Sequence, residues 1–111
     1  MQFKFDCMEL IPTEGSKKCH VDLETTKQEL IIERRWTREK TQEKQIVQMV
    51  NIEFMHEHDY NYARLTLVVK GGRQKRKSEE VDLEFEMPSD KVTFMSVVIS
   101  CCPEIGLRPR T

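Results

Sequence analysis

Polar and hydrophobic residues alternate along most of this chain, a pattern typical of β-strands that bury one face. In residues 19–24, for example, Cys19, Val21 and Leu23 alternate with polar residues. Short segments with turn chemistry separate the alternating stretches, which favours antiparallel strands joined by turns. The pattern predicts six strands, at residues 2–11, 19–24, 29–33, 46–55, 63–69 and 81–87.

The first of these strands has an irregular pattern. Phe3, Phe5 and Cys7 lie on one face, whereas Met8 and Leu10 lie on the other. Because side chains alternate strictly between the two faces of a strand, this change of phase predicts a β-bulge or a strong bend.

A polar stretch interrupts the alternation in the middle of the chain. Residues 37–44 have the sequence TREKTQEK, which contains no apolar stripe. A segment with high polarity and no hydrophobic period is typical of a loop. We therefore predict a solvated loop here.

The hydrophobic spacing changes near the end of the chain. Val92, Met95 and Ile99 follow one another at intervals of three or four residues, which places them on one face of a helix. Pro103 ends this segment, because proline disfavours helical geometry in the residue before it. We predict a helix at residues 89–102 that closes one open end of the sheet, although its β-branched residues also fit a seventh strand.

The composition is that of one folded domain covering residues 1–111. The 18 Lys and Arg residues are balanced by 19 Asp and Glu residues, so the net charge of −1 produces no overall field that would attract nucleic acid. No apolar run is long enough for a secretory leader or a membrane span, and we expect an intracellular protein, cytoplasmic or nuclear. In that setting we expect free thiols at Cys7, Cys19, Cys101 and Cys102.

Two parts of the sequence resemble the pleckstrin-homology (PH) and GRAM-like domain superfamily. The segment VDLETTKQELII is similar to the hairpin of the second and third strands in these domains. The segment ARLTLVVKGG, followed by EVDLEFEMPSDKVTFMSVVISCCP, is similar to their final hairpin, strand and helix, with the closing spacing F-x-x-x-V-x-x-C-C-P. One departure is that the tryptophan usual in the final helix is absent, since the only tryptophan is Trp36.

The resemblance implies a mainly β (α+β) fold. The expected architecture is an antiparallel sandwich or partly open barrel of six to seven strands, capped by one C-terminal helix. Because the alternating pattern supplies only six strands, the resemblance also implies that a seventh is hidden within residues 36–50.

A phosphoinositide site is one candidate that the resemblance raises. PH domains that bind phosphoinositides place basic residues around the first inter-strand loop. Here Lys17 and Lys18 close that loop, but position 20 is His20 where an arginine is usual. Arg34 and Arg35 follow the third strand and are predicted to lie near the same rim. Together these four cations would hold a lipid headgroup through charge-assisted hydrogen bonds, or they are ordinary solvated charges.

A basic loop is a second candidate site. Residues 70–78 contain five cations and open with two glycines. Such a loop could contact the phosphates of nucleic acid or an anionic membrane, although it has no aromatic residue for base stacking, and Glu79 and Glu80 follow it. The cations are Lys70, Arg73, Lys75, Arg76 and Lys77.

The remaining candidates point to protein binding. No set of residues fits a nucleophile with its base, a cofactor or a metal ion, so we predict a protein without enzymatic activity, cofactor or metal. Trp36, Tyr60 and Tyr62 are candidate interface aromatics, or else core residues. The favoured function is a non-catalytic adaptor module. It would bind a peptide of a partner protein at an exposed sheet edge, or in the groove between the last strand and the helix. Phosphoinositide or membrane binding is the first alternative, and nucleic-acid or chromatin binding the second.

Overall fold

The computed structural model describes residues 1–36, 41–71 and 78–110, and the side chains of residues 35, 36, 41, 42 and 108–110 lie outside this description. Within the described residues the chain forms eight strands and one α-helix, so the prediction of a mainly β fold with one helix is confirmed. The strands are β1 (Gln2–Ile11), β2 (Gly15–Glu24), β3 (Glu29–Trp36), β4 (Thr41–Gln48), β5 (Ile52–His58), β6 (Asn61–Val69), β7 (Glu79–Phe85) and β8 (Gly106–Arg110), and the helix is α1 (Pro88–Cys101).

All eight described strands belong to one sheet. Their order is β4-β3-β2-β1-β7-β6-β5-β8, and every pair is antiparallel except β5 with β8. The inward faces and α1 enclose a single core of apolar side chains. At the centre of the core, the rings of Phe5, Phe85 and Phe94 pack with centroid distances of 5.2 to 5.7 Å. The predicted role of the helix, closing the sheet over its core, is confirmed.

The helix begins at Pro88, where the missing amide donor costs nothing because the first turn has no acceptor for it. Its buried face is formed by Lys91, Phe94, Met95 and Val98, and Val92 points to solvent. The predicted apolar face, through Val92, Met95 and Ile99, is therefore rotated by about one residue relative to the buried face. The alternative of a seventh strand at this position is wrong, because the buried residues recur at three- and four-residue intervals.

Strand β1 is regular, so the predicted bulge is wrong. The register with β2 runs from Gln2 opposite Glu24 to Ile11 opposite Gly15 without a shift. The inward face continues from Cys7 to Glu9, which is buried despite its charge. The alternation of apolar residues is interrupted at Glu9 because a carboxylate occupies an inward position. The backbone itself does not change phase there.

Strand β4 lies where the sequence predicted a polar loop and the start of another strand. Residues 41–44 of the predicted loop pair with β3, from Trp36 opposite Thr41 to Glu33 opposite Lys44, so this part of the loop prediction is wrong, and residues 37–40 lie outside the described residues. The strand hidden within residues 36–50 is thus confirmed. The predicted single strand at residues 46–55 is divided by a 3-10 turn at Met49–Asn51, so that β4 and β5 are separate strands.

Strand β8 was not predicted. It runs parallel to β5, with Gly106 opposite Phe54 and Arg110 opposite His58. A Cβ atom on Gly106 would lie 2.6 Å from Cδ1 of Phe54, so a larger residue at this position would require the Phe54 ring to move. No helix within residues 1–36, 41–71 or 78–110 has the length and apolar composition required to cross a membrane.

Candidate functional site at the free edge of the sheet

The predicted lipid-headgroup cations that can be placed are neighbours in the sheet, but they do not all face the same side of it. The connection between β1 and β2 is a tight turn in which the amide of Glu14 donates to the carbonyl of Ile11 at 3.1 Å. Lys17 and Lys18 are consecutive residues of β2, so they point to opposite faces of the sheet. A short turn with diverging lysines does not form a basic cup around a headgroup.

Arg34 is removed from the surface altogether. Its side chain is only 1% exposed. Its Nη2 donates to Oε2 of Glu9 at 3.0 Å while Nε donates to the other carboxylate oxygen, and Oε1 of Glu43 lies 3.7 Å from Nη1. In this structure the charge of Arg34 is paired in the interior and is not presented to a headgroup, and its role as a headgroup ligand stays a prediction. The side chain of Arg35 lies outside the described residues.

The basic loop is described only at its two ends. Lys70 is exposed just beyond β6, and Gly71 follows it with a positive φ of 70°. Arg73, Lys75, Arg76 and Lys77 lie outside the described residues, so their role as an anion-binding loop stays a prediction.

The interface aromatics that can be placed are at the surface. Tyr60 and Tyr62 are both exposed, one in the turn between β5 and β6 and the other near the start of β6. Core packing is therefore excluded for these two tyrosines. A cavity of about 480 Å³ beside Tyr60 also includes Arg64 and Asp82, which form an ion pair. The side chain of Trp36 lies outside the described residues.

Part of the predicted groove between the last strand and the helix is filled by the core. Where α1 crosses β7, the rings of Phe85 and Phe94 lie with centroids 5.2 Å apart. Both residues are buried, so these two rings offer no surface to a ligand. Met87 and Val92 at the start of the helix are exposed, and binding along this groove stays a prediction.

The sheet has two outer edges among the described strands, and they differ in length and chemistry. Strand β8 covers the outer side of β5 and has five residues, including Pro109, which has no amide donor. Strand β4 has eight residues and pairs along its whole length with β3 on one side only. The longer edge with available backbone donors and acceptors is therefore that of β4.

A small groove runs beside this edge. It has a volume of about 150 Å³ and lies between residues 45–48 of β4 and residues 69–71 at the end of β6. Two apolar side chains nearby are unusually exposed: Ile46 is 53% exposed and Val50 is 65% exposed. Lys70 lines the same groove and gives it a cation.

A buried glutamine lies at the start of the groove. Gln45 is 8% exposed, and its Nε2 donates to Oε2 of Glu79 at 3.3 Å. Its Oε1 accepts no hydrogen bond from any residue that the structure describes. A buried acceptor without a partner costs about 1–3 kcal/mol.

Another surface cavity has residues of both signs of charge in its lining. It has a volume of about 400 Å³ beside β2, β1 and β7, and its lining includes Asp6, Glu84 and Glu86 with Lys18 and His20, as well as the inward-facing Cys7, Cys19 and Phe85. Nδ1 of His20 lies 2.6 Å from the Asp6 carboxylate, but both side chains are exposed. Among the described residues, no cluster of His, Cys, Asp or Glu could hold a metal ion.

Sequence reasoning named neither the β4 edge nor Gln45. A signal was present in the alternation of Gln45, Val47 and Met49, which predicts one buried face. The polar residues before them obscured it.

Comparison with known proteins finds structural matches only. No family model and no curated protein matches the sequence. The solution structure of the PH domain of human oxysterol binding protein-related protein 11 superposes with a TM-score of 0.69 at 12% identity, over 95% of this chain and 82% of that chain.

Two guanine-nucleotide exchange factor structures are also similar. An N-terminally truncated linker-DH/PH structure of p115-RhoGEF gives a TM-score of 0.66 at 8% identity, over 89% of this chain but only 28% of that chain. The DH/PH domain of human ARHGEF11, solved with human RhoA and its inhibitor, gives 0.66 at 11% identity, over 89% of this chain and 28% of that chain. At these identities the likeness concerns the fold alone. Sheet order, capping helix and structural matches together show that the chain has a PH-like fold.

Proposed function

We propose that this PH-like domain is a protein-interaction module that binds an extended peptide as an additional strand beside β4. The observation that carries the proposal is the outer edge of β4, which pairs with no other strand among the described residues and lies next to the groove between residues 45–48 and 69–71. Strand addition gains affinity from main-chain hydrogen bonds and specificity from pockets for alternate side chains. The β4 edge offers both features.

The contacts available at this edge suit a peptide of mixed character. Ile46 and Val50 would lose exposed apolar surface on binding, which is worth about 25 cal/mol per Å² before the costs of association. Lys70 would favour a carboxylate at the groove end of the peptide.

Lipid binding through the predicted cations has less support. Arg34 is paired with Glu9, and Lys17 and Lys18 diverge. The large cavity next to Lys18 is rich in carboxylates, which repel a phosphorylated headgroup. Protein binding at the β4 edge is therefore the function that the geometry supports best.

A peptide-library selection tests the proposal, because it requires no known partner. Randomised extended peptides would be selected on the whole chain, and the affinity of the best binder would then be measured on two variants. Ile46→Lys places a charge beside the β4 edge and should weaken binding by about tenfold or more. Val92→Lys changes an equally exposed valine on the helix and should leave binding unchanged.

Two results would contradict the proposal. One is a peptide whose affinity is the same on Ile46→Lys and on the unchanged chain. The other is a chain that selects no peptide but sediments with phosphoinositide vesicles, which would favour the lipid alternative.

A further inference from the structure

Two cysteines face each other across neighbouring strands. Cys7 of β1 lies directly opposite Cys19 of β2 in the antiparallel register. The Cα atoms of such opposed residues are about 4.5–5.5 Å apart. A disulfide needs a Cα separation of roughly 4.4–6.8 Å. The register therefore already supplies the spacing of a disulfide, and no strand has to move along its neighbour.

The side chains are also on the same side of the sheet. Both thiols are free and buried, and both belong to the hydrophobic core. Each thiol is the largest influence on the pKa of the other. Directly opposed residues on one face of an antiparallel pair have Cβ atoms about 4.5–5.5 Å apart, so the register makes the two side chains neighbours.

The two thiols differ in acidity. The interaction with Cys7 lowers the pKa of the Cys19 thiol, and this effect exceeds the opposing influence of burial; the charges of Glu9 and Asp6 raise the pKa, and that of Arg34 lowers it. The same interaction and burial raise the pKa of the Cys7 thiol. Cys19 is thus the sulfur that forms a thiolate first, and the thiolate is the form that reacts with peroxides.

A path for a small oxidant lies nearby. The 400 Å³ surface cavity is lined by both cysteines, together with Lys18 and Phe85. Hydrogen peroxide is close to water in size and would fit such a cavity, whereas a glutathione disulfide is much larger.

We propose that Cys7 and Cys19 form an oxidation site at which hydrogen peroxide produces a cross-strand disulfide. In the first step the Cys19 thiolate attacks one peroxide oxygen, the O–O bond breaks, and hydroxide leaves to take up the proton that Cys19 released. In the second step the Cys7 sulfur attacks the sulfenic acid on Cys19, the S–O bond breaks, and the Cys7 proton leaves with the oxygen as water. Two thiols and one peroxide give one disulfide and two waters.

The other two cysteines provide an internal reference. Cys101 and Cys102 are adjacent in sequence, and Cys101 is the more accessible of the two. Neither one lies opposite another cysteine in a described strand pair. Peroxide should therefore convert Cys101 to sulfenic or higher acids and link only Cys7 with Cys19.

Mass spectrometry of the folded, unchanged chain tests this proposal. The chain is treated with hydrogen peroxide until the Cys101 thiol is consumed, unfolded, alkylated and digested without reductant. We expect a linked peptide pair containing Cys7 and Cys19, lighter by about 2 Da than the two reduced peptides and separated by a thiol reductant. The melting temperature of the oxidised chain should also rise, because the link restricts the unfolded chain.

Several outcomes overturn the proposal. Alkylated Cys7 and Cys19 after Cys101 has been consumed would show that the pair does not react. Sulfinic acid on either residue, or a disulfide to Cys101 or Cys102, would show that the cross-strand geometry does not direct the chemistry. A Cys101→Ser, Cys102→Ser variant serves as control, and the link must still form in it.

Discussion

The ion pair between Arg34 and Glu9 is the clearest departure from an apolar core at the scale of single residues. Both side chains are buried, 25 positions apart in sequence. Removing one partner of a buried pair leaves the other charge without compensation. We predict that Glu9→Ala lowers the free energy of unfolding by about 3–5 kcal/mol, measured by urea denaturation.

A double substitution distinguishes charge from packing at this site. Glu9→Leu combined with Arg34→Met replaces the pair by apolar side chains of similar volume, and such replacements are often neutral or stabilising. The double variant should therefore be clearly more stable than Glu9→Ala. If both variants lost the same stability, the loss would come from packing and the ion pair would not be its cause.

The sequence could not reveal this pair, because its physical basis is tertiary. Glu9 interrupts the apolar pattern of β1 and looks like a change of phase until Arg34 is seen beside it. Arg34 likewise looks like a surface cation at the end of a strand. Nothing local distinguishes a charged side chain that finds a buried partner from one that stays in water.

At the scale of elements, α1 offers a matched pair of valines. Val98 is fully buried against the sheet, whereas Val92 is 57% exposed on the same helix. Val98→Asp buries a carboxylate without a partner and should cost several kcal/mol, enough to unfold a domain of ordinary stability. Val92→Asp should change the melting temperature by only a few degrees. Thermal denaturation followed by circular dichroism compares them, and similar losses would refute the orientation of α1.

The docking of β8 depends on one glycine. Gly106→Val would place side-chain atoms against the Phe54 ring, where even a Cβ would lie 2.6 Å from it. We expect a loss of about 1–3 kcal/mol and faster hydrogen exchange of the amides at residues 106–110. Leu107→Ala trims an exposed side chain of the same strand and should leave exchange almost unchanged. Unchanged protection in Gly106→Val would show that β8 does not need the close approach.

The elements that sequence predicted best are those with one apolar face and one polar face. β2, β6, β7 and α1 all have this pattern, and their positions agree with prediction to within a few residues. β4 and β8 are edge strands, where polar residues, glycine and proline are tolerated because one side has no partner strand. The missing partner strand lets polar residues, glycine and proline interrupt the alternating pattern, which hides such strands in the sequence. The same missing partner leaves backbone donors and acceptors available for binding.

At the scale of the whole molecule, the predicted PH-like fold is confirmed. The side chains of the predicted lipid-headgroup site, in contrast, do not all face one side of the sheet. The alternation and the terminal helix carry information on the fold. A site depends on which side chains the curled sheet brings together, and single-sequence patterns do not encode that. Lys17, Lys18 and Arg34 are neighbours in the sheet, but Lys18 points to the opposite face from Lys17, and Arg34 is buried against Glu9.

The basic loop remains a separate prediction at this scale. Changing Arg73, Lys75, Arg76 and Lys77 to serine should alter stability by less than about 0.5 kcal/mol for each residue. If the loop serves anionic partners, the variant should lose whatever salt-sensitive binding the unchanged chain shows, measured by vesicle sedimentation and nucleic-acid gel shift. Salt-sensitive binding that survives all four changes would exclude the loop.

The central claim is that a peptide pairs with the outer edge of β4. The most direct measurement is an NMR structure of the whole chain with a selected peptide, in which nuclear Overhauser effects reveal which backbones lie side by side. We predict inter-strand contacts between the peptide backbone and residues 41–48, with amide shifts at residues 69–71. Contacts beside β8 or along α1, with the amides of β4 unchanged, would contradict the claim.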